Sequence, residues 1–373
     1  MNNPFLINGY EGPKYFCDRK AETASILREL SNGNNLALIA PRRMGKSGLI
    51  QHCFGQSSIK KNYYTFYIDV YATRSLQEFV FRLSREIVQR LKPFGTKVVQ
   101  GFWNCVKSLQ AGISFSPMGE PSFNLQLGEI AHCESTLEEI FSYLSSASRP
   151  CIVAIDEFQQ IANYSDKNVE ALLRTYVQKY PQIKFIFAGS QRHLLSQMFT
   201  SPSRPFYQSV SLMNLDSLNV AKYATFAKSL FEAAGKSLGD GVVEKVFEIA
   251  HNVTWYVQKL MNTIFAQIQP GESCSVADVS EALDYVLGTL DFSYRELMFR
   301  IPDKQREVLI AIAKEGRAEA VTSGTFLKKY HLNSASTVQS ALRGLLERDY
   351  VTQEQGCYYV YDQFLMYWLQ REY

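Results

Sequence analysis

Short apolar runs alternate along this chain with longer segments whose apolar positions return every three or four residues. The runs at 36–40, 63–71, 151–155 and 183–188 read as strands, with a further one near 208–213. The run at 151–155 is apolar without a break, as in a strand buried on both faces. The intervening spacing predicts helices over 21–30, 46–54, 76–91, 135–146 and 167–179. The helix at 135 is expected to open with a capping box, Ser135-Thr136-Leu137-Glu138. Strands alternating with helices imply right-handed crossovers and a parallel sheet. Residues 112–128 alternate apolar and polar about a Pro/Gly turn, the pattern of an inserted hairpin.

After residue 215 the alternation stops. Helices fill 216–300, and a second box, Ser275-Val276-Ala277-Asp278, opens one of them. Helices near 303–314, 323–331 and 334–348 then precede two short strands, 350–352 and 358–361, joined through Gly356. Three helices and a two-stranded wing make a winged helix. The predicted fold class is α/β: a doubly wound parallel core over 1–215, an all-helical part over 216–300 and a winged helix over 301–373.

Composition narrows the function classes. The chain has 373 residues, enough for two or three domains, and is 46% hydrophobic and 20% charged, as globular proteins are. A formal net charge of +3 is too small for a surface that coats nucleic acid. The seven Cys are dispersed singly, which points to reduced thiols and a cytoplasmic protein. No basic leader followed by an apolar run is read, and no stretch nears the roughly 18 apolar residues of a membrane span. The five His are isolated, and no Cys/His set has metal spacing. No coiled-coil repeat or exposed apolar stripe is evident to support self-association.

The richest stretch is Ala40-Pro41-Arg42-Arg43-Met44-Gly45-Lys46-Ser47, followed by Gly48, between the first strand and its helix. It fits a phosphate-binding loop except that Ala40 stands where the pattern has Gly. Ala40 is compatible if its φ stays negative. Gly45 lets backbone approach a phosphate, and N–H groups at a helix start wrap an anion. Lys46 would reach the β- and γ-phosphates, and the Ser47 hydroxyl would coordinate Mg²⁺. Arg42 and Arg43 could contact nucleotide or a neighbouring subunit, or face solvent or an ion pair. The strand at 151–155 ends in Asp156-Glu157, at the edge where α/β ligands bind. Asp156 would hold the metal's hydration shell with Ser47, and Glu157 would polarise the attacking water. The next strand ends in Gly189-Ser190-Gln191. Ser190 or Gln191 could orient that water or contact phosphate, or the turn could simply cap a helix. Arg204 could stabilise transition-state charge or be a solvated surface residue.

The order Phe16-Cys17-Asp18-Arg19-Lys20-Ala21-Glu22, then Pro41 to Ser47, then Ile155-Asp156-Glu157, then Phe187-Ala188-Gly189-Ser190 resembles the archaeal-type P-loop ATPase family. That family is AAA+-related and belongs to a STAND-like signalling branch. The resemblance extends over the hairpin at 112–128 and the C-terminal Tyr358-Tyr359-Val360-Tyr361 with Trp368. It implies an ATPase core, a helical lid and a winged helix, with ATP and Mg²⁺ as cofactors. It sets Arg19 in an N-terminal box beside the adenine, and it carries the choice of ATP over GTP. Relatives open the lid helix with Gly-x-Pro; here Ala250-His251-Asn252-Val253-Thr254 stands instead, with Asn252 or Thr254 available to cap. With Ala40, this departure leaves binding better founded than rate, and turnover is expected to be slow.

The implied activity is a Mg²⁺-dependent ATP-binding and ATP-hydrolysing switch. The alternatives are a nucleotide-bound DNA-binding regulatory module and a non-hydrolysing protein-interaction scaffold. Residues 303–373 carry nine Lys/Arg and nine Asp/Glu, which disfavours DNA. The candidate recognition helix offers Gln339 and Arg343 as base readers, with Lys328 and Lys329 for phosphates. Partners are therefore expected to be ATP and ADP, then a protein or a second copy, with DNA less favoured and no membrane.

Overall fold

The computed structural model describes residues 3–91, 96–108, 114–115, 121–122, 130 and 132–373. The chain divides into two compact units. One is Asn8–Asn219; the other joins the lead-in up to Ile7 to Val220–Tyr373.

The first unit is built on one parallel sheet. Helix α1 (Lys20–Ser31) leads to strand β1 (Leu36–Ile39), then α2 (Lys46–Phe54), α3 (Ser57–Asn62) and β2 (Tyr64–Asp69). Helices α4 (Leu76–Leu91) and α5 (Thr96–Cys105) follow. The short strands β3 (Ser114–Phe115) and β4 (Pro121–Ser122) pair antiparallel; the rest of the expected hairpin lies outside the described residues. Then come α6 (Cys133–Ser145), β5 (Cys151–Asp156), α7 (Val169–Lys179), β6 (Ile183–Gly189), α8 (Arg192–Thr200) and β7 (Ser211–Asn214). The sheet order is β2-β5-β6-β1-β7, every neighbouring pair parallel. Strand β6 thus sits between the loop strand β1 and the acid strand β5, so three carboxyl ends converge on one edge. Every residue of β5 is buried, which explains why its apolar run has no polar alternation. Helix α4 covers one face with Phe79, Val80, Leu83 and Ile87, at three- and four-residue spacing.

One expectation fails here. α6 begins at Cys133 behind His132, so Ser135 lies inside its first turn and makes no capping box. Glu138 is drawn outward to Lys179 and Tyr180.

The second unit contains α9 (Val220–Ala233), β8 (Ser237–Leu238), α10 (Val242–Ile249), α11 (Thr254–Gln267), β9 (Ser273–Cys274) and α12 (Val276–Arg300). The β8–β9 parallel pair falls in what was expected to be purely helical sequence. The Ser275–Asp278 box forms as expected. Neither Asn252 nor Thr254 caps α11: Val253 is its N-cap residue, without a side-chain bond, after His251 and Asn252 in left-handed backbone. The lead-in is pinned to this unit, with Phe5 packed between Phe231 and Phe265. The winged helix comprises α13 (Asp303–Glu315), α14 (Gly324–Lys329), α15 (Ala335–Glu347), β10 (Val351–Glu354) and β11 (Cys357–Val360). A closing helix, α16 (Gln363–Glu372), buries Phe364, Trp368 and Leu369, while Tyr358, Tyr359, Tyr361 and Tyr367 are half-buried.

Candidate nucleotide site

The loop between β1 and α2 folds as its sequence demands. Gly45 takes φ 90° and Arg43 φ 68°, while Ala40 keeps a negative φ, so its Cβ carries no penalty. Ala40 is fully buried and is used through its backbone: its N–H donates to Gly189 O at 3.3 Å. Lys46, only 6% exposed, closes the loop by donating from Nζ to Ala40 O at 3.0 Å and Pro41 O at 3.3 Å. Burial lowers its pKa, with Arg42 adding to the shift; Glu157 and Asp156 oppose it. Met44 O accepts from buried Arg19 Nη2 at 3.5 Å, and Arg19 also pairs with Glu22 at 2.8 Å. Arg19 therefore braces the loop from behind. Arg42 lies over the Tyr71 ring at 5.1 Å. Gly48, in the first turn of α2, faces Phe16.

The acids meet this loop across the sheet edge. Ser47 Oγ donates to Asp156 Oδ2 at 2.7 Å. Tyr67 OH donates to the same oxygen at 2.5 Å, and Asp156 Oδ1 accepts the Glu157 N–H at 3.0 Å. Asp69 ends β2 in register with Asp156.

Glu157 sits in left-handed backbone, φ 55°. The turn holds because the next residue, Phe158, is fully buried with its ring 4.4 Å from Phe187 and 5.5 Å from Phe206. Glu157 Oε2 accepts from Ser190 Oγ at 2.7 Å, Ser190 N at 3.2 Å and Gln159 Nε2 at 2.6 Å. Ser190 is thus joined to Glu157. Arg204 is not brought to this cluster: it pairs with Glu170 of α7 at 2.7 Å, and that carboxylate explains its position better than a role at the phosphates.

Three contributors escaped the sequence. Tyr67 looked like one more β-former; only the β2–β5 register brings its phenol to Asp156. Asp69 is noticed only once that register pairs it with Asp156. Gln159 is 3% exposed, and its amide occupies the space where Gly189 lacks a side chain: a Cβ there would fall 2.0 Å from Oε1.

Residues 16–260 match the family described as an ATPase domain predominantly from Archaea. The chain belongs to this ATPase family. Residues 292–371 match a probable winged helix domain. Among solved structures, the Walker-type ATPase PABY2304 of Pyrococcus abyssi is 19% identical, over 98% of this chain and 99% of that one, with a TM-score of 0.66. The Aeropyrum pernix ORC2 protein, solved as ADPNP–ADP complexes, is 13% identical over 99% and 97%, TM-score 0.57. The A. pernix ORC1 protein, solved with DNA, is 11% identical over 100% and 97%, TM-score 0.54. At these identities the likeness is one of fold. No curated protein matches the chain.

The family implies a divalent cation beside the nucleotide, and the donors here fit one. Ser47 Oγ and Asp156 Oδ2 are adjacent hard oxygens. Among the described residues no three His, Cys, Asp or Glu are grouped to hold a metal alone. Mg²⁺ commonly takes one or two protein oxygens and fills the rest of its shell with water and phosphate; Ser47 Oγ and Asp156 Oδ2 would be the protein oxygens here. No helix among the described residues is long and apolar enough to cross a membrane.

Proposed function

We propose that the chain is a Mg²⁺-dependent ATPase acting as a molecular switch, with a core over 1–215, a helical lid over 216–300 and a winged helix over 301–373. The observation that carries this is the 2.7 Å bond from Ser47 to Asp156, which joins the phosphate loop to an acid 109 residues away, beside Lys46. The Pro41–Gly45 backbone and the start of α2 would cradle phosphate oxygens, and Lys46 would turn from the loop carbonyls to neutralise them. Ser47 and Asp156 would hold Mg²⁺, which when bound offsets the charge on the phosphate oxygens.

Glu157 is the proposed acceptor for the proton of the attacking water. Its Oε2 is already satisfied by three donors, so Oε1 remains as the acceptor for a water. Ser190 and Gln159 hold the carboxylate and do not themselves take the proton. Restraint by three hydrogen bonds supports a slow turnover. ATP as the base, in place of GTP, rests on the family. DNA binding stays the lesser reading. Gln339 and Arg343 are exposed on α15, but Lys329 is tied to Glu315 at 2.6 Å, which removes one of the few phosphate contacts available.

The test is nucleotide binding and phosphate release, with and without Mg²⁺, in the wild type and Lys46→Ala. Binding should weaken by about 10- to 100-fold in the variant, and release should vanish. Binding without release by the wild type would leave a nucleotide-stabilised scaffold. No binding at all would end the nucleotide proposal.

A further inference from the structure

Helix α12 presents an aromatic stripe to solvent. Tyr285, Phe292 and Phe299 are 60%, 77% and 83% exposed, at intervals of seven residues. Seven residues advance an α-helix by nearly two turns, so the rings stack along one face, opposite buried Val279, Val286 and Met298. Gly288, between the first two rings, has open space above it and would let another backbone approach. This stripe overturns the expectation that no exposed apolar face supports self-association. It was hidden because α12 is apolar on both sides, and sequence periodicity alone does not say which side the fold covers.

We propose that the α12 face is a homodimer interface, two copies of the helix packing antiparallel about a two-fold axis at Phe292. The sequence is self-complementary about that point. Tyr285 and Phe299 lie seven residues either side of Phe292, so each ring meets its counterpart on the other copy. Charge selects the antiparallel sense. Residues 276–288 carry Asp278, Glu281 and Asp284; residues 289–300 carry Asp291 and Glu296 balanced by Arg295 and Arg300. A parallel pair would set three acids against three acids, whereas the antiparallel pair sets them against the half that holds both arginines. Within one chain Arg300 meets Glu296 only at 3.8 Å, whereas Asp284, 56% exposed, is hydrogen-bonded to Arg371. Burying the exposed parts of three rings of about 200 Å² each removes roughly 900 Å² across both copies, close to the lower size of a specific interface before any flanking side chain is counted.

Sedimentation of the full chain between about 1 and 100 μM tests this, independently of nucleotide. A reversible dimer is expected, and Phe292→Glu should raise its Kd about 30-fold or more. Arg300→Glu, which adds acid to the half set against three acids, should weaken it as well, and that loss should shrink at high salt. Both side chains are exposed, and unchanged circular dichroism would verify folding. A monomer throughout the range, a dimer indifferent to Phe292→Glu, or an Arg300→Glu dimer as tight as the wild type would each overturn the proposal. Capture of a different protein by a monomeric chain would do the same.

Discussion

The two units bury opposite things. In the first, charged and polar groups are taken out of water at the carboxyl edge of a sheet: Arg19, Lys46, Asp156 and Gln159 are each at most 6% exposed. In the second, large rings on α12 are left in water. Each runs against the hydrophobic effect, and each costs free energy unless something offsets it. Inside the first unit the offset is internal. Lys46 has loop carbonyls, Asp156 has two hydroxyls, and Glu157 has three donors. On α12 no such offset is present among the described residues, which directs attention to a partner. Buried charge marks chemistry, and exposed aromatic surface marks association.

The largest effect expected in the first region separates chemistry from structure. Glu157→Gln keeps the shape and can still accept from Ser190, but it cannot take a proton. Phosphate release should fall by about 100-fold or more while nucleotide binding holds within a few-fold. A variant that hydrolyses normally would move the base elsewhere, and the carboxylate's three hydrogen bonds would then be structural.

Gly189→Ala comes next and tests whether the buried network is as tightly packed as the distances say. The new Cβ would fall 2.0 Å from Gln159 Oε1 and 2.9 Å from Leu195 Cδ2. Gln159 must either leave Glu157 or strain its neighbours, for about 1–3 kcal/mol of destabilisation. Adding Gln159→Ala should reopen the space, so thermal midpoints of the four proteins should be strongly non-additive. Additive shifts would mean that the amide and the glycine do not share that space.

Much of this was readable beforehand, for a physical reason. The phosphate loop and the Asp156-Glu157 strand end are local patterns, in which a few adjacent residues fix both backbone and chemistry. The same locality made the Ser275–Asp278 box legible. Ser135-Thr136-Leu137-Glu138 has the same signature yet lies inside a helix that starts two residues earlier, behind His132. Tyr67, Asp69 and Gln159 depend on which strand lies beside which, and a β6 inserted between β1 and β5 cannot be read from spacing. The exposed rings of α12 pose the same difficulty on a helix: periodicity finds the faces, and only tertiary structure chooses the covered one.

The smallest expected effect belongs to Tyr67→Phe, and it asks whether the first region's charges are placed or merely tolerated. The phenol and Ser47 both donate to Asp156 Oδ2. Burial and the Asp156 charge push the phenol's pKa up, so it stays a donor at any working pH. Removing it leaves Asp156 with the Ser47 hydroxyl and the Glu157 N–H, so the carboxylate is not orphaned and folding should hold. What is lost is restraint on the angle at which Oδ2 faces Ser47. Nucleotide binding without Mg²⁺ should then be unchanged, while the Mg²⁺ concentration that half-saturates its effect on binding should rise about 3- to 10-fold, the worth of one hydrogen bond to a charged group that keeps other partners. A fall would mean that the phenol competes with the cation for that oxygen. In that case the buried hydroxyl restrains the site against metal, and the satisfied network of the first unit is a resting arrangement that nucleotide must displace.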